Sequence, residues 1–267
     1  MLTMEIFESA ILGAVQGLTE FLPVSSSGHL QLAKELMGVK IEENLAFDVT
    51  LHAATVLSTI VVLWSEIWWL VRGVFSRGMN KEKSYFLKLV ISMLPIGVVG
   101  LLFKDDINAM LGSNYIMLVV GGMLLLTATL LTFAYYARPR QKSEISYRDA
   151  FIIGLSQGVA SMPGLSRSGT TIATGLILGN EKATVATFSF LMVLAPIMGE
   201  TLLELIDGGM TLEGVSTGAL AAGFISAFVV GCLACRFMIN IVKRGKLIWF
   251  ALYCAIVGVL AIGSYII

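Results

Sequence analysis

Only 13% of the 267 residues are charged, 57% are hydrophobic, and mean hydropathy is +0.86. Soluble domains carry roughly 25% charged residues, so the composition excludes a soluble enzyme and points to an integral membrane protein with no room for a second, soluble domain. Lys plus Arg and Asp plus Glu stand at 18 each, a balance that excludes a nucleic-acid partner held by bulk charge.

In chain order, the first apolar segment, 4–38, is interrupted by Gln16-Gly17-Leu18-Thr19-Glu20-Phe21-Leu22-Pro23-Val24-Ser25-Ser26-Ser27-Gly28-His29. It lacks the basic start and cleavage site of a signal peptide, so it is expected to stay in the mature protein. Full spans of about 20 residues are predicted near 46–69, 86–103, 115–137, 184–206, 217–239 and 247–266. Trp64, Trp68, Trp69, Tyr115, Tyr135, Tyr136 and Trp249 mark their ends, as interfacial aromatics do. A second interrupted segment, 148–180, carries Met162-Pro163-Gly164-Leu165-Ser166-Arg167-Ser168-Gly169-Thr170. Cys232, Cys235 and Cys254 lie in apolar runs and read as small apolar residues, despite the C-x-x-C spacing of the first two.

The interrupted segments align without a gap at an offset of 141. Ile11, Gly13, Gln16, Gly17, Ser25, Ser27, Gly28 and Gly38 match Ile152, Gly154, Gln157, Gly158, Ser166, Ser168, Gly169 and Gly179, and Phe47 matches Phe188. The pattern indicates a duplication, with one half over about 1–140 and the other over about 141–267. Basic residues then orient the chain. Arg72, Arg77, Lys81 and Lys83, then Arg138, Arg140, Lys142 and Arg148, then Lys243, Arg244 and Lys246 alternate with loops holding Lys104, Asp105 and Asp106, or Asp207 and Glu213. The positive-inside rule puts the three basic loops in the cytoplasm, provided that 148–180 enters and leaves on one side. The fold class expected is therefore all-α and polytopic, with about six transmembrane helices and two re-entrant helix-turn-helix segments in an inverted repeat. Both breaks must be buried in protein or line a wet cavity.

Arg167 sits in the middle of an apolar segment, where an unpaired guanidinium is expensive. A phosphate oxyanion suits its planar fork, and an ion pair with Glu20 across the repeat interface is compatible with that before substrate arrives. Glu20 can hold a divalent cation or act as a general base. Ser26 and His29 can supply nucleophile, base or leaving-group acid. Asp48 and His52 share a face of the first span, with cavity lining and helix-end solvation both open. Glu200 and Glu204 read as a solvated rim, and Lys34, Glu35, Glu42 and Glu43 as surface.

Glu20, Pro23 to His29 and Pro163 to Gly169 resemble the two signature motifs of the undecaprenyl-pyrophosphate phosphatase family, the bacitracin-resistance proteins of bacterial cell membranes. The resemblance covers essentially the whole chain. It implies hydrolysis of a polyprenyl pyrophosphate lipid to its monophosphate, which recycles the carrier of cell-wall sugars, at a site opening to the outer face. It implies a catalytic set of Glu20, Ser26, His29 and Arg167, and a divalent cation, Mg2+ or Ca2+, on Glu20. Ser166 and Ser168 would help hold phosphate, with Gln16, Ser25, Ser27 and Gly169 around the substrate. A homodimer is left open. Gln16 stands where many members carry the first acid of an E-x-x-x-E pair, and its carbonyl is the second candidate metal ligand. Acid-phosphatase-like lipid phosphatases are set aside, because Ala173 occupies the place of their second histidine. The rival from another class is a transporter or flippase for a phosphorylated polyprenyl lipid, which would not need Glu20, Ser26 and His29 together.

Overall fold

A computed structural model describes residues 6–39, 45–111, 113, 115–137, 142–206 and 215–266. Among them the chain is helical throughout: α1 (Ile6–Phe21), α2 (Ser26–Leu36), α3 (Leu45–Val62), α4 (Trp64–Val74), α5 (Lys81–Leu102), α6 (Lys104–Leu111), α7 (Ile116–Tyr136), α8 (Tyr147–Val159), α9 (Arg167–Ile177), α10 (Lys182–Ile206), α11 (Thr217–Arg244) and α12 (Ile248–Ile266). A lone bridge joins Lys142 to Asn180.

Five helices, α5, α7, α10, α11 and α12, are each long and apolar enough to cross a bilayer. A sixth crossing is broken. The run expected as one span over 46–69 bends by 78° between α3 and α4, at Leu63. The cause lies in the residues beyond the bend. Helix α4 buries Leu70 and Gly73 but exposes Trp64, Trp68 and Trp69, and its Arg72 guanidinium lies 5.8 Å over the Trp68 ring. Tryptophans and a cation of this kind suit a membrane–water boundary, along which the chain turns. Helix α6 occupies the stretch read as a loop after Lys104.

At ~1.5 Å per residue, α1, α2, α8 and α9 are 16, 11, 13 and 11 residues long and too short to serve as paired full crossings. Instead α1 packs on α2 and α8 on α9, giving the two expected helix-turn-helix hairpins. Both N-caps are serines one repeat apart. Ser25 Oγ accepts from the Gly28 amide at 3.4 Å and Ser166 Oγ from the Gly169 amide at 3.1 Å. Each bond satisfies one of the amides that a helix start leaves open.

The hairpins are held crosswise, since α1 lies along α11 and α8 along α5. Small residues make these seams close. Gly13 and Gly17 meet the backbone of Gly223, Ala227 and Gly231, and Gly154 and Gly158 meet that of Ser92 and Pro95. Such spacing lets helix backbones approach where lipid gives no hydrophobic drive. The repeat partners Phe47 and Phe188 are both fully buried. Helices α7 and α12 pair with each other, again across glycines, Gly121 and Gly258.

Candidate active site

The two breaks touch. Ser168 Oγ donates to the Leu22 carbonyl at 3.2 Å, and a Cβ on Gly169 would meet Pro23 at 3.0 Å. Helix α7 backs both breaks: Thr127 Oγ1 accepts from the Ser166 amide at 3.2 Å, and Val120 lies against Gly28 and Gly164. The first break is strained where the second is not. Ser25 has φ 71° and is the sole non-glycine residue with positive φ among the described residues, whereas glycine, Gly164 at φ 89°, takes that role in the second. Such a conformation costs of order 1–3 kcal/mol and persists where the surroundings dictate it.

A narrow cleft with about 20 Å³ of free space opens beside the breaks, lined by Glu20, Arg167 and Ser168, by Thr55 and Thr59 of α3, and by apolar side chains that include Phe21, Phe190 and Ile197. Glu20 Oε2 accepts from Ser26 Oγ at 2.7 Å and from Gln16 Nε2 at 3.1 Å. The first of these is short, as charge-assisted O–H···O bonds are. The Arg167 guanidinium has no hydrogen-bond or ion-pair partner among the described residues, so the expected pairing with Glu20 is not made although both face one cleft. The Arg167 guanidinium, the start of α9 and the Glu20 carboxylate, which accepts from Ser26 of α2, meet at this small space. An unpaired guanidinium beside a helix start is the chemistry of an anion site.

The remaining expected residues sort clearly. Ser166 and Ser25 act as caps and contact Ser168 and Ser27 at 3.4 Å, with Ser27 exposed. Gly169 supplies the capped amide. His29 stands off from the cleft: Nδ1 is 2.9 Å from the Ser25 carbonyl and Nε2 is 2.7 Å from the Tyr253 hydroxyl, the rings stacked with centroids 5.6 Å apart. Asp48 is neutralised by Lys34 at 2.9 Å, which ties α3 to α2, so Lys34 is not free surface and Asp48 is not a cleft residue. Glu42, Glu43, Arg138, Arg140, Asp207 and Glu213, and the side chains of Glu200 and Glu204, lie outside the described residues.

Sequence reasoning missed Thr55, Thr59, Thr127 and Tyr253. The threonines 55 and 59 stand four apart on one face of a span, a polar stripe that offered a signal. Their hydroxyls also bond to backbone carbonyls of their own helix, as threonine does in any apolar helix.

Among the described residues no three His, Cys, Asp or Glu side chains gather to hold a metal by themselves. The oxygen donors nearest to such a set are the Glu20 carboxylate, the Ser26 hydroxyl and Gln16 Oε1, which is buried without a partner.

The chain is similar to known proteins along nearly its whole length. The family model described as Bacitracin resistance protein BacA matches residues 9–260. The undecaprenyl-diphosphatase of Bacteroides fragilis (strain YCH46) is 60% identical over 262 residues, covering 97% of this chain and 98% of that protein. That of Parabacteroides distasonis is 59% identical over the same shares, and that of Methanosphaera stadtmanae 37% identical, again over 97% and 98%. The signature residues, the paired hairpins and the full-length match converge on one assignment: the chain belongs to the bacitracin resistance protein BacA family.

Proposed function

We propose that this multi-pass membrane protein hydrolyses undecaprenyl pyrophosphate to undecaprenyl phosphate, returning the lipid carrier to cell-wall synthesis. The observation that carries the reading is the 2.7 Å bond from Ser26 to Glu20, whose carboxylate lines a cleft with Arg167, in a chain 60% identical to an undecaprenyl-diphosphatase over nearly its full length. A lipid transporter needs a cation for the headgroup. It has no use for a serine whose proton is already held by a carboxylate.

In the mechanism proposed, Ser26 Oγ attacks the terminal phosphorus and gives its proton to Glu20. The anhydride P–O bond breaks, and its electron pair leaves with undecaprenyl phosphate. Water then hydrolyses the phosphoserine and releases phosphate. Arg167 and the Ser26, Ser27, Arg167 and Ser168 amides, which have no backbone acceptor at the starts of α2 and α9, hold the charge that spreads over the phosphoryl oxygens. His29 makes no hydrogen bond to Ser26 and is assigned to proton transfer with the leaving phosphate or the hydrolytic water. An all-oxygen donor set of Glu20, Gln16 Oε1 and substrate phosphate fits Mg2+ or Ca2+; bound there, the ion would neutralise phosphate charge. The apolar cleft wall suits a prenyl chain, and the opening is assigned to the outer face.

The test is turnover of Ser26→Ala and Ser26→Cys in detergent, with trapping of a phosphoenzyme from labelled substrate. Label on Ser26 and loss of turnover in Ser26→Ala are expected. Near wild-type turnover of Ser26→Ala would reject the serine assignment. Absence of phosphate release by the purified wild-type protein would reject the phosphatase reading itself.

A further inference from the structure

The hydrogen bonds around His29 define its ring unambiguously. A backbone carbonyl can only accept, so Nδ1, 2.9 Å from Ser25 O, carries a proton. In the neutral ring Nε2 is then the bare acceptor, and the Tyr253 hydroxyl at 2.7 Å donates to it. In the imidazolium Nε2 itself donates, and the same hydroxyl turns to accept. A phenol can do both without moving, because its O–H rotates while its oxygen stays in place. Tyr253 belongs to α12, far from either signature motif, yet the next residue also grips the first break: Cys254 Sγ donates to the Pro23 carbonyl at 3.3 Å. Two consecutive residues of α12 therefore fix its register against Pro23 and His29. Tyr253 is 43% exposed while its hydroxyl is engaged, an arrangement that spares α12 an unpaired hydroxyl on its outer surface.

We propose that Tyr253 is a positioning residue for the phosphatase reaction: it holds His29 with Nε2 as the reacting nitrogen and keeps the ring in place through both charge states. This rests on the reading of His29 as a proton-transfer group. Tyr253 holds the ring before and after the proton moves, and the Nδ1 bond to the Ser25 carbonyl holds it while Nε2 serves the reacting oxygen.

Tyr253→Phe keeps the stacked ring and removes only the hydroxyl. Two measurements on the full-length protein in detergent test the proposal. The first is the 15N spectrum of histidine-labelled protein, simple because the chain has two histidines and His52→Gln assigns the other. The wild type should show His29 protonated at Nδ1 with a hydrogen-bonded acceptor at Nε2, and Tyr253→Phe should move the Nε2 signal alone. The second is a double-mutant cycle. Tyr253→Phe should lower turnover about three- to tenfold, the scale of one hydrogen bond, with KM within about twofold, and should cost nothing further in His29→Gln. A wild-type His29 protonated at Nε2, an unmoved Nε2 signal, or equal losses in both backgrounds overturns the role of Tyr253. Wild-type turnover of His29→Gln overturns instead the reading on which it rests.

Discussion

Arg167 is the residue whose isolation says most, since its half-buried guanidinium has no partner among the described residues, and the proposed function gives it a phosphate. Arg167→Lys keeps the charge and loses the planar fork. It is expected to cost about 1.5–3 kcal/mol, or roughly one to two decades in turnover, measured as phosphate release; a variant within twofold of wild type would make Arg167 structural. Glu20→Gln should fail as badly as Ser26→Ala, because the 2.7 Å bond then leads to a group that cannot take the serine's proton. A Glu20→Gln enzyme that turns over normally, assayed beside Ser26→Ala, would remove Glu20 from the base role. The motif residues were legible because serines, a glutamate and an arginine are costly in apolar sequence unless used. Tyr253 was not, because tyrosines are ordinary in membrane helices and its partner is 224 residues away.

At the level of elements, Pro23, Pro163 and Gly164 announced the helix breaks, and serine caps a repeat apart confirmed where the next helices start. The bend at Leu63 had no such signal. No proline or glycine marks it, and hydrophobicity runs through Val62 and Leu63 into Trp64. The seams allow a direct prediction. A Cβ on Gly17 would stand 2.5 Å from the Ala227 carbonyl oxygen, a backbone atom with no rotamer in which to retreat, whereas nothing lies within 4 Å of one on Gly122. Gly17→Val is expected to destabilise by about 1–3 kcal/mol or more and Gly122→Ala to be tolerated, read as thermal unfolding of the purified proteins. Equal midpoints for the two would mean that the α1–α11 seam is looser than its geometry.

On the scale of the whole molecule, the alternation of charged loops predicts that 72–84, 138–148 and 240–246 face the cytoplasm and that 104–113 and 207–215 face outward. Lys243, Arg244 and Lys246 are exposed at the end of α11 and beyond it, so single cysteines there can report. On a cysteine-free background an impermeant reagent should reach them only after lysis, and labelling from outside would overturn the inverted arrangement. The long apolar helices were legible in hydropathy. How the halves interlock was not, because no residue pattern states which long helix a hairpin chooses. That choice has a consequence for assembly. Each hairpin leans on a long helix from the other part of the chain, α1 on α11 and α8 on α5, while α7 backs both turns, so each polar turn draws only part of its shelter from its own part. The two parts of the chain are thereby interlocked. Fragments 1–140 and 141–267 should each be degraded when expressed alone and should reconstitute phosphatase activity when expressed together.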